Sequence, residues 1–293
     1  MSNNNNKISA NKNKVAIVTG SATGNGYETA IHLARNGFHT YASMRSLERA
    51  SGIVEIAKTE NLPLSVIELD VTDDISITKA VDTVINESGR VDVLVNNAGY
   101  GLIGSIEDMS VVELKAQYET NVFGVFRVTQ AVLPHMRKQH NGIIVNISSL
   151  AARVGLPLFS AYVSSKFALE GLSESMAYEL QPFGIKVVII EPGNIKTNFR
   201  SEKAARAKKD STYYTMTQST IETIEGMVKQ GMHPKEVAKV VIHAIDNPKP
   251  ELRYIVGKDA EEFIKGSKEL PEQEFYKMMK QNLMGGIIQL ENK

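Results

Sequence analysis

The stretch Thr19-Gly20-Ser21-Ala22-Thr23-Gly24-Asn25-Gly26 places three glycines between two different kinds of segment. Before it, Val15–Thr19 is an apolar run rich in β-branched residues, which predicts a buried strand. After it, apolar residues recur at helical spacing until Asn36-Gly37. Glycine allows positive φ and close approach to the backbone, and the free N–H groups at a helix N-terminus bind pyrophosphate. The turn therefore predicts nucleotide binding, with an ordinary glycine-rich turn as the alternative.

The same alternation of strand and helix continues along the chain. Further strand-like runs are Phe38–Ser43, Leu64–Leu69, Val91–Asn96, Gly142–Ile147, Lys186–Glu191 and Arg253–Val256. Segments with helical periodicity separate them: Leu47–Glu60, Ile75–Glu87, Val111–Arg137, Ala161–Gln181 and Pro234–Asp246. Such βαβ units form parallel sheets with helices on both faces. We therefore expect a single α/β domain over residues 14–257, a Rossmann-like doubly wound sheet of about seven parallel strands.

Three regions lie outside this alternation. Residues 1–13 contain an asparagine run and are predicted to be a disordered tail. Asn194–Gly231 is long and polar, and since a loop of that length is usually functional, we expect a lid insertion. Residues 258–293 form a C-terminal extension that could pack on the domain, on a partner subunit, or on neither.

Composition excludes several classes of function. Lysine plus arginine number 33 and aspartate plus glutamate 33, so the chain has no electrostatic footprint for nucleic acid or anionic membrane. Cysteine is absent, which excludes disulfides and thiolate catalysis, and the six histidines show no metal-ligand spacing. No signal-peptide core or run of about 18 apolar residues is present. We expect a cytoplasmic protein without metal, nucleic-acid or membrane partners.

Further motifs follow the glycine turn in a fixed order. They are Asn96-Asn97-Ala98-Gly99 after the fourth strand-like run, Asn121 in a helix, Ser149 after the next run, Tyr162, Lys166, and Pro192-Gly193. The interval from Ser149 to Tyr162 is 162 − 149 = 13 residues. Together with the glycine spacing, this order resembles the short-chain dehydrogenase/reductase family over about Lys14 to Gly257. Asn25 departs from the family, which usually has an apolar residue there.

Tyr162 and Lys166 carry the expected chemistry. Four residues apart on a predicted helix, they share one face. A free phenol titrates near pKa ~10, and we expect the nearby ammonium to lower the pKa of Tyr162 towards the range of a general acid/base. Ser149 could hydrogen-bond the substrate oxygen. Ser148 is the rival position, and the family spacing selects Ser149. The alternative for Tyr162 and Lys166 is a surface pair.

The resemblance implies the remaining roles. Lys166 would also hold the nicotinamide ribose, and Asn121 would bend its helix and hold a water linked to Lys166. The cofactor-binding positions would be Gly20, Ser21, Thr23, Gly24, Asn25, Gly26, Arg45, Asp70, Val71, Asn97, Ala98, Gly99, Tyr162, Lys166, Pro192, Gly193, Ile195 and Thr197. A homodimer or homotetramer would be built on the two longest predicted helices.

The cofactor preference is predicted from the end of the second strand. Ala42-Ser43-Met44-Arg45 has no acid to bind the adenosine ribose, and Arg45 could grip a 2′-phosphate. We expect NADP(H) to be preferred, with NAD(H) possible. The alternative is that Arg45 is merely solvated. Asp70 would serve the adenine in either case.

The substrate is expected to be a small-molecule carbonyl compound or secondary alcohol. Its walls would include the apolar residues Leu156, Leu158, Phe159, Phe199, Tyr213, Tyr214 and Met216. The stretch Phe38–Arg45 is similar to hydroxysteroid and retinol dehydrogenases of the family, which favours a bulky apolar substrate. Two other functions were weighed: a dinucleotide-sensing regulator on the same fold, and a lyase, epimerase or dehydratase. The four catalytic residue types and the short C-terminal extension argue against them.

Overall fold

The computed structural model describes residues 11, 13–197 and 209–288, with the backbone alone for residues 284–288. Seven strands lie at its centre: β1 (Val15–Val18), β2 (His39–Met44), β3 (Leu64–Glu68), β4 (Val93–Asn96), β5 (Gly142–Ile147), β6 (Ile185–Pro192) and β7 (Arg253–Val256). They form one parallel sheet in the order β3-β2-β1-β4-β5-β6-β7. This is the predicted Rossmann-like sheet. The disordered-tail prediction falls largely on residues outside those described.

Ten α-helices connect or follow the strands within the described residues. They are α1 (Gly24–Arg35), α2 (Ser51–Thr59), α3 (Asp74–Ser88), α4 (Val111–Tyr118), α5 (Gly124–Gln139), α6 (Ser160–Leu180), α7 (Tyr214–Gln230), α8 (Pro234–Asp246), α9 (Lys258–Glu269) and α10 (Glu272–Ile288). No helix in these residues is long and apolar enough to span a membrane.

Two apolar cores explain why the central strands are uninterrupted apolar runs. Helices α1 and α8 pack on one face of the sheet, and α3, α5 and α6 pack on the other. A strand buried on both faces has no polar side to present to water. The burial of every residue in β1, β4 and β5 follows from this sandwich.

The predicted helix Val111–Arg137 is interrupted. A π-helical segment at Glu119–Phe123 separates α4 from α5, and Asn121 is buried within it. A π turn inserts an extra residue into a helix and is found mostly at functional sites. The helix pattern alone could not show this, because one inserted residue leaves the apolar periodicity on either side intact.

The segment Asn194–Gly231 is not a continuous loop. Tyr214–Gln230 form α7, of which only Thr217 and Thr220 are fully buried. Ile221, Ile224 and Val228 recur within it at helical spacing, so the sequence holds a helix signal, which the polar character of the whole segment obscures. Residues 198–208 of the segment, including Phe199, lie outside the described part of the chain.

The C-terminal extension packs on the domain. Helices α9 and α10 contribute Ala260, Met279 and Leu283 to an apolar cluster that also contains Leu150 and Val154. Of the three arrangements that the sequence allowed, the described residues show the first. This places the extension at the carboxyl ends of the strands, next to Ser149.

Candidate functional site

The glycine turn forms a cradle between β1 and α1. Gly20 and Gly24 have positive φ, of 69° and 64°. A Cβ atom at Gly20 would lie 2.9 Å from the Ala98 Cα atom, and one at Gly26 would lie 2.5 Å from the Gly20 carbonyl oxygen. Side chains are excluded at both positions, because the turn packs closely on the end of β4 and on itself.

The N-terminus of α1 faces this cradle with its donors free of side-chain caps. Thr23 is the N-cap residue, makes no side-chain cap bond, and no acid occupies the first turn. The Asn25 Oδ1 atom is buried and has no hydrogen-bond partner among the described residues. A groove beside Thr23 and Gly24 is also lined by Lys196 and Lys229. Free helix donors and two cations suit a pyrophosphate, so the cradle fits a dinucleotide.

Hydrogen bonds join the cradle to the end of β4. The Asn97 Nδ2 atom donates to the carbonyl oxygens of Thr19 and Gly20, at 2.9 and 3.1 Å. The Thr19 Oγ1 atom accepts from the backbone N–H groups of Asn97 and Ala98, both at 3.0 Å. Ser21 is fully buried and its hydroxyl donates to the Val18 carbonyl oxygen, at 2.8 Å. These contacts fix the backbone of the predicted cofactor positions.

The positions predicted to bind the adenosine end lie after β2 and β3. Arg45 is exposed, and its charge partly opposes the burial that raises the pKa of Tyr100. The Asp70 Oδ1 atom accepts from the Thr72 backbone N–H and hydroxyl, at 2.9 and 2.8 Å. Val71 is buried and would contact a Cβ atom at Gly124. Arg45 is therefore close enough to Tyr100 for its charge to act on the phenol.

Tyr162, Ser149 and Lys166 lie together at the carboxyl end of β5. The side chains of Tyr162 and Ser149 are hydrogen-bonded to each other. The Lys166 Nζ atom donates to the Ile147 carbonyl oxygen at 2.7 Å and lies 5.8 Å from the centre of the Tyr162 ring. All but a few per cent of Tyr162 and Lys166 is buried. The spacing in the sequence therefore corresponds to proximity in space.

Burial controls the pKa values of this pair. It raises the pKa of Tyr162 to about 12, against which the Ser149 hydrogen bond acts. Burial also lowers the pKa of Lys166 to about 8, and the charge of Glu170 opposes that shift. The prediction that Lys166 lowers the pKa of Tyr162 is wrong for the protein alone. The reason is that desolvation of the phenol dominates, while the ammonium is directed at the Ile147 carbonyl.

Ser148 and Ser149 have different surroundings. The Ser148 Oγ atom is buried and has no hydrogen-bond partner among the described residues. The Ser149 Oγ atom accepts from the Ala151 backbone N–H at 3.2 Å and also contacts Tyr162. Of the two rival serines, the structure brings Ser149 to the phenol.

Asn121 joins the loop after β4 to helix α6. Its Oδ1 atom accepts from the Tyr100 backbone N–H at 3.2 Å, and its Nδ2 atom donates to the Tyr100 carbonyl oxygen at 3.0 Å. The same Nδ2 atom donates to the Ser165 hydroxyl at 3.1 Å. Asn121 thus reaches the helix of Lys166 through the neighbouring Ser165.

The turn after β6 is held by a residue of the C-terminal extension. The Asp259 Oδ2 atom accepts from the Asn194 backbone N–H and side-chain Nδ2, at 2.7 and 2.9 Å. A Cβ atom at Gly193 would overlap the Asp259 carboxylate. Ile195 is buried, and the Thr197 methyl group lies 3.1 Å from where a Gly24 Cβ atom would be. Sequence reasoning missed Asp259, because no pattern in the extension connected it to Pro192-Gly193.

An apolar wall borders the site. Phe159 meets the ring of Tyr162 edge-on, with ring centres 6.2 Å apart. Leu158 has a φ of 62°, which is uncommon for a residue other than glycine. Its carbonyl oxygen accepts from the Gly104 backbone N–H at 2.8 Å. Leu156 and residues of α7, α9 and α10 pack on the Leu150–Val154 cluster: Met227, Phe263, Phe275 and Met278. The wall residues predicted from the sequence do not include these last four.

Known proteins are similar to this chain over most of its length. The family model described as short chain dehydrogenase matches residues 14–208. A 3-ketodihydrosphingosine reductase from Bacteroides thetaiotaomicron is 35% identical over 246 residues, covering 83% of this chain and 88% of the relative. The 17-beta-hydroxysteroid dehydrogenase type 1 of Mus musculus is 36% identical over 251 residues, covering 82% and 72%.

Solved structures agree with these relatives. A short-chain dehydrogenase from Streptomyces avermitilis is 36% identical with a TM-score of 0.78, covering 91% of this chain and 96% of that chain. A metagenomic short-chain oxidoreductase in complex with NADP is 25% identical with a TM-score of 0.68, covering 84% and 97%. The glycine cradle, the buried tyrosine and lysine, and these matches together show that the chain belongs to the short-chain dehydrogenase/reductase family of nicotinamide dinucleotide-dependent oxidoreductases.

Proposed function

We propose that the chain is an NADP(H)-dependent oxidoreductase that interconverts a bulky apolar ketone and its secondary alcohol, with Tyr162 as the general acid/base. One observation carries this proposal: Ser149 is hydrogen-bonded to Tyr162 beside the buried Lys166, at the sheet edge that also bears the glycine cradle. In open parallel sheets, ligands bind at that edge.

Each of the four residues has a role in the proposed reaction. The phenol of Tyr162 donates a proton to the carbonyl oxygen in the reducing direction and takes one from the alcohol in the reverse direction. Ser149 hydrogen-bonds the same oxygen, where negative charge develops. Lys166 supplies a buried positive charge, and Asn121 fixes the loop at Tyr100 against α6. When bound, the nicotinamide would donate or accept the hydride.

Lys166 has a second proposed role at the nicotinamide ribose. Its Nζ atom makes one hydrogen bond, to the Ile147 carbonyl oxygen, among the protein contacts described. Since an ammonium group has three donors, the others could serve the ribose hydroxyls. The turn of Pro192, Gly193, Ile195 and Thr197 would close over the nicotinamide end, and the cradle would hold the pyrophosphate.

The proposed preference for NADP(H) rests on Arg45. Arg45 is exposed after β2, and its charge acts on Tyr100. A guanidinium group in such a position can bind a phosphate through two hydrogen bonds. The neighbouring Ser43 Oγ atom is buried without a hydrogen-bond partner among the described residues. Asp70 would serve the adenine.

The proposed substrate class rests on the apolar wall. Phe159 meets Tyr162 edge-on, and the turn after Ser149 packs in a cluster of aromatic, aliphatic and methionine side chains. Two relatives are named as a 3-ketodihydrosphingosine reductase and a 17-beta-hydroxysteroid dehydrogenase. Apolar pockets with a few directed polar groups bind ligands of this kind. A long-chain or polycyclic ketone fits this description better than a small polar one.

We also propose that the segment 194–231 acts as a lid. Its described part contacts the loop that precedes α4, since the Ser211 hydroxyl donates to the Asp108 Oδ2 atom at 2.7 Å. Met227 of α7 packs on the apolar cluster beside Ser149. Closure of such a segment over bound ligand would exclude water from the site.

The test is a panel of ketones and alcohols assayed for nicotinamide absorbance with NADPH, NADH, NADP⁺ and NAD⁺. We expect turnover with hydrophobic ketones such as steroid or long-chain substrates, and weaker turnover with short polar ones. Tight binding of NADPH without turnover of any carbonyl or alcohol would contradict the proposal and favour a dinucleotide sensor.

A further inference from the structure

Two buried glutamates are each paired with a partly exposed arginine, and one of the glutamates lies four residues after Lys166. The four residues are Glu170 of α6, Glu191 of β6, Arg253 of β7, and Arg153, which follows the turn after Ser149. We call these four residues the charge cluster. The Arg253 Nε atom donates to the Glu170 Oε2 atom at 3.0 Å, and the Arg153 Nε atom donates to the Glu191 Oε1 atom at 2.5 Å. The charge cluster thus joins α6 to β7, and β6 to the turn that follows Ser149.

Burial makes these carboxylates unusual. Glu170 is 6% exposed and Glu191 is 1% exposed. Ion pairs this deep contribute little net stability, because removing both charges from water offsets their attraction. Stability of the fold therefore gives no strong reason for an ionised Glu170 at this position.

Glu170 is also incompletely paired. Its Oε1 atom is buried and has no hydrogen-bond partner among the described residues. A buried acceptor without a partner destabilises a fold, because it loses its hydrogen bonds to water. Glu170 lies four residues after Lys166 on α6, and side chains at that spacing on a helix are neighbours. The Glu170 carboxylate therefore shares a face of α6 with Lys166, and its charge acts on the ammonium group.

The other charges around Glu170 come from each element packed against it. Lys166 and Glu174 lie on its own helix, Glu191 faces it from β6 and Arg253 from β7. Burial lowers the pKa of Lys166 and the Glu170 charge raises it. Burial raises the pKa of Glu191, and the charge of Glu170 adds to this effect.

We infer that Glu170 is a positioning residue, held by Arg253, that keeps the buried ammonium group of Lys166 charged during the reaction. This inference rests on the proposed function, since Glu170 acts only through Lys166. Without the carboxylate, desolvation would release the Lys166 proton at a lower pH. Lys166 would then lose its positive charge in the range where the enzyme works.

The experiment compares Glu170→Gln with the wild type. The first readout is kcat/KM for a turned-over ketone with NADPH between pH 6 and 10. The second is the pH dependence of the ¹³Cε resonance of Lys166 in lysine-labelled protein, assigned with Lys166→Met. We expect both midpoints to move to lower pH by about one unit in Glu170→Gln, since one nearby buried charge has an effect of that order.

Glu174→Gln is the matched control. Glu174 also binds Arg253, with the Arg253 Nη2 atom 2.8 Å from the Glu174 Oε2 atom, but it is largely exposed and does not affect the pKa of Lys166. We expect both midpoints in this variant to match the wild type. If the salt bridges had only a structural role, the midpoints of both variants would shift by the same amount.

Equal midpoints in Glu170→Gln and the wild type, or equal shifts in both variants, would overturn the inference. If Glu170→Gln does not fold, the paired variant Glu170→Gln/Arg253→Gln removes both members of the buried ion pair, leaves only the exposed Glu174 without Arg253, and is expected to show the same downward shift of both midpoints. The resonance needs no turnover. An enzyme without activity but with the expected resonance shift would contradict the proposed function while supporting the inference.

Discussion

Ser149 contacts Tyr162 while it caps a turn. Its Oγ atom accepts from the Ala151 backbone N–H at 3.2 Å, which makes Ser149 the N-cap residue of the 3₁₀ turn Leu150–Ala152. A hydroxyl that accepts from the backbone keeps its own proton free to donate. The cap therefore orients the hydroxyl towards the oxygen atom of Tyr162, and towards a substrate oxygen that joins them.

Tyr162→Phe removes the proton donor and leaves the ring. We expect kcat to fall by about 10²–10⁴-fold, the usual contribution of a general acid/base. The dissociation constant for NADPH, measured by fluorescence titration, should change little. Tyr178→Phe on the same helix is the control, since Tyr178 is mostly exposed and should keep full activity. Near-normal turnover in Tyr162→Phe would disprove the assignment.

Ser149→Ala should lower kcat by about 10²–10³-fold, as for removal of one donor to a developing oxyanion. Ser148→Ala is the matched control. The Ser148 Oγ atom has no hydrogen-bond partner among the described residues, so its removal should leave kcat and stability nearly unchanged. Steady-state kinetics of the two variants decide between the neighbouring serines, and a larger loss in Ser148→Ala would reverse the assignment.

The pH dependence follows from the two buried groups. Lys166, with its pKa lowered to about 8, is charged below that pH and neutral above it. Tyr162, with its pKa raised to about 12, stays protonated and able to donate over the same range. In the reducing direction, kcat/KM should therefore decline as pH rises through about 8. A profile that stays flat up to pH 10 would contradict the role of Lys166.

Arg45→Ala tests the cofactor preference. A charge-assisted bond to phosphate contributes roughly 1.5–3 kcal/mol, so we expect kcat/KM for NADPH to fall about 10–150-fold while that for NADH changes little. Arg49→Ala, which removes another exposed arginine nearby, should change neither value. An acid at Met44, at the end of β2, would be a second way to favour NADH, but Met44 is buried in the core and the substitution would also perturb packing. A wild type at least as active with NADH as with NADPH would refute the role of Arg45.

The chain should assemble through helices α5 and α6. These helices expose the aromatic residues Phe126 and Phe167, each about half accessible, and two-fold oligomers are the commonest kind. Light scattering at micromolar concentration should give a dimer or tetramer, and Phe126→Lys/Phe167→Lys should shift it towards monomer. Tyr276→Lys, at an exposed aromatic residue of α10, should not. A monomeric wild type would contradict this prediction.

The fold and much of the site could be predicted because they depend on local patterns. Strands buried on both faces must be apolar runs, and Tyr162 and Lys166 share a helix face because of their spacing alone. The bend at Asn121 is expected from the family resemblance alone, because one inserted residue leaves no periodic trace. The helix α7 carries a weak pattern at Ile221, Ile224 and Val228 within a polar segment. The contacts of Asp259 could not be predicted, since they join residues 65 positions apart.

The direction of the Tyr162 pKa shift also could not be predicted from the sequence. Proximity of an ammonium group could be inferred from the spacing, but the degree of burial could not. Burial outweighs the neighbouring charge once Lys166 is directed at the Ile147 carbonyl. Sequence spacing thus predicts which groups meet, while the packing around them determines their protonation.

The Asp259 carboxylate occupies the space that a side chain at Gly193 would need. The two positions are therefore constrained as a pair, although they lie on opposite sides of α7, α8 and β7 in the chain. In homologues that keep this extension, an aspartate at 259 should occur with glycine at 193. Where the extension is shorter or begins differently, alanine or serine at 193 becomes sterically possible. Covariation of these two positions would identify which members of the family fasten the turn after β6 in this way.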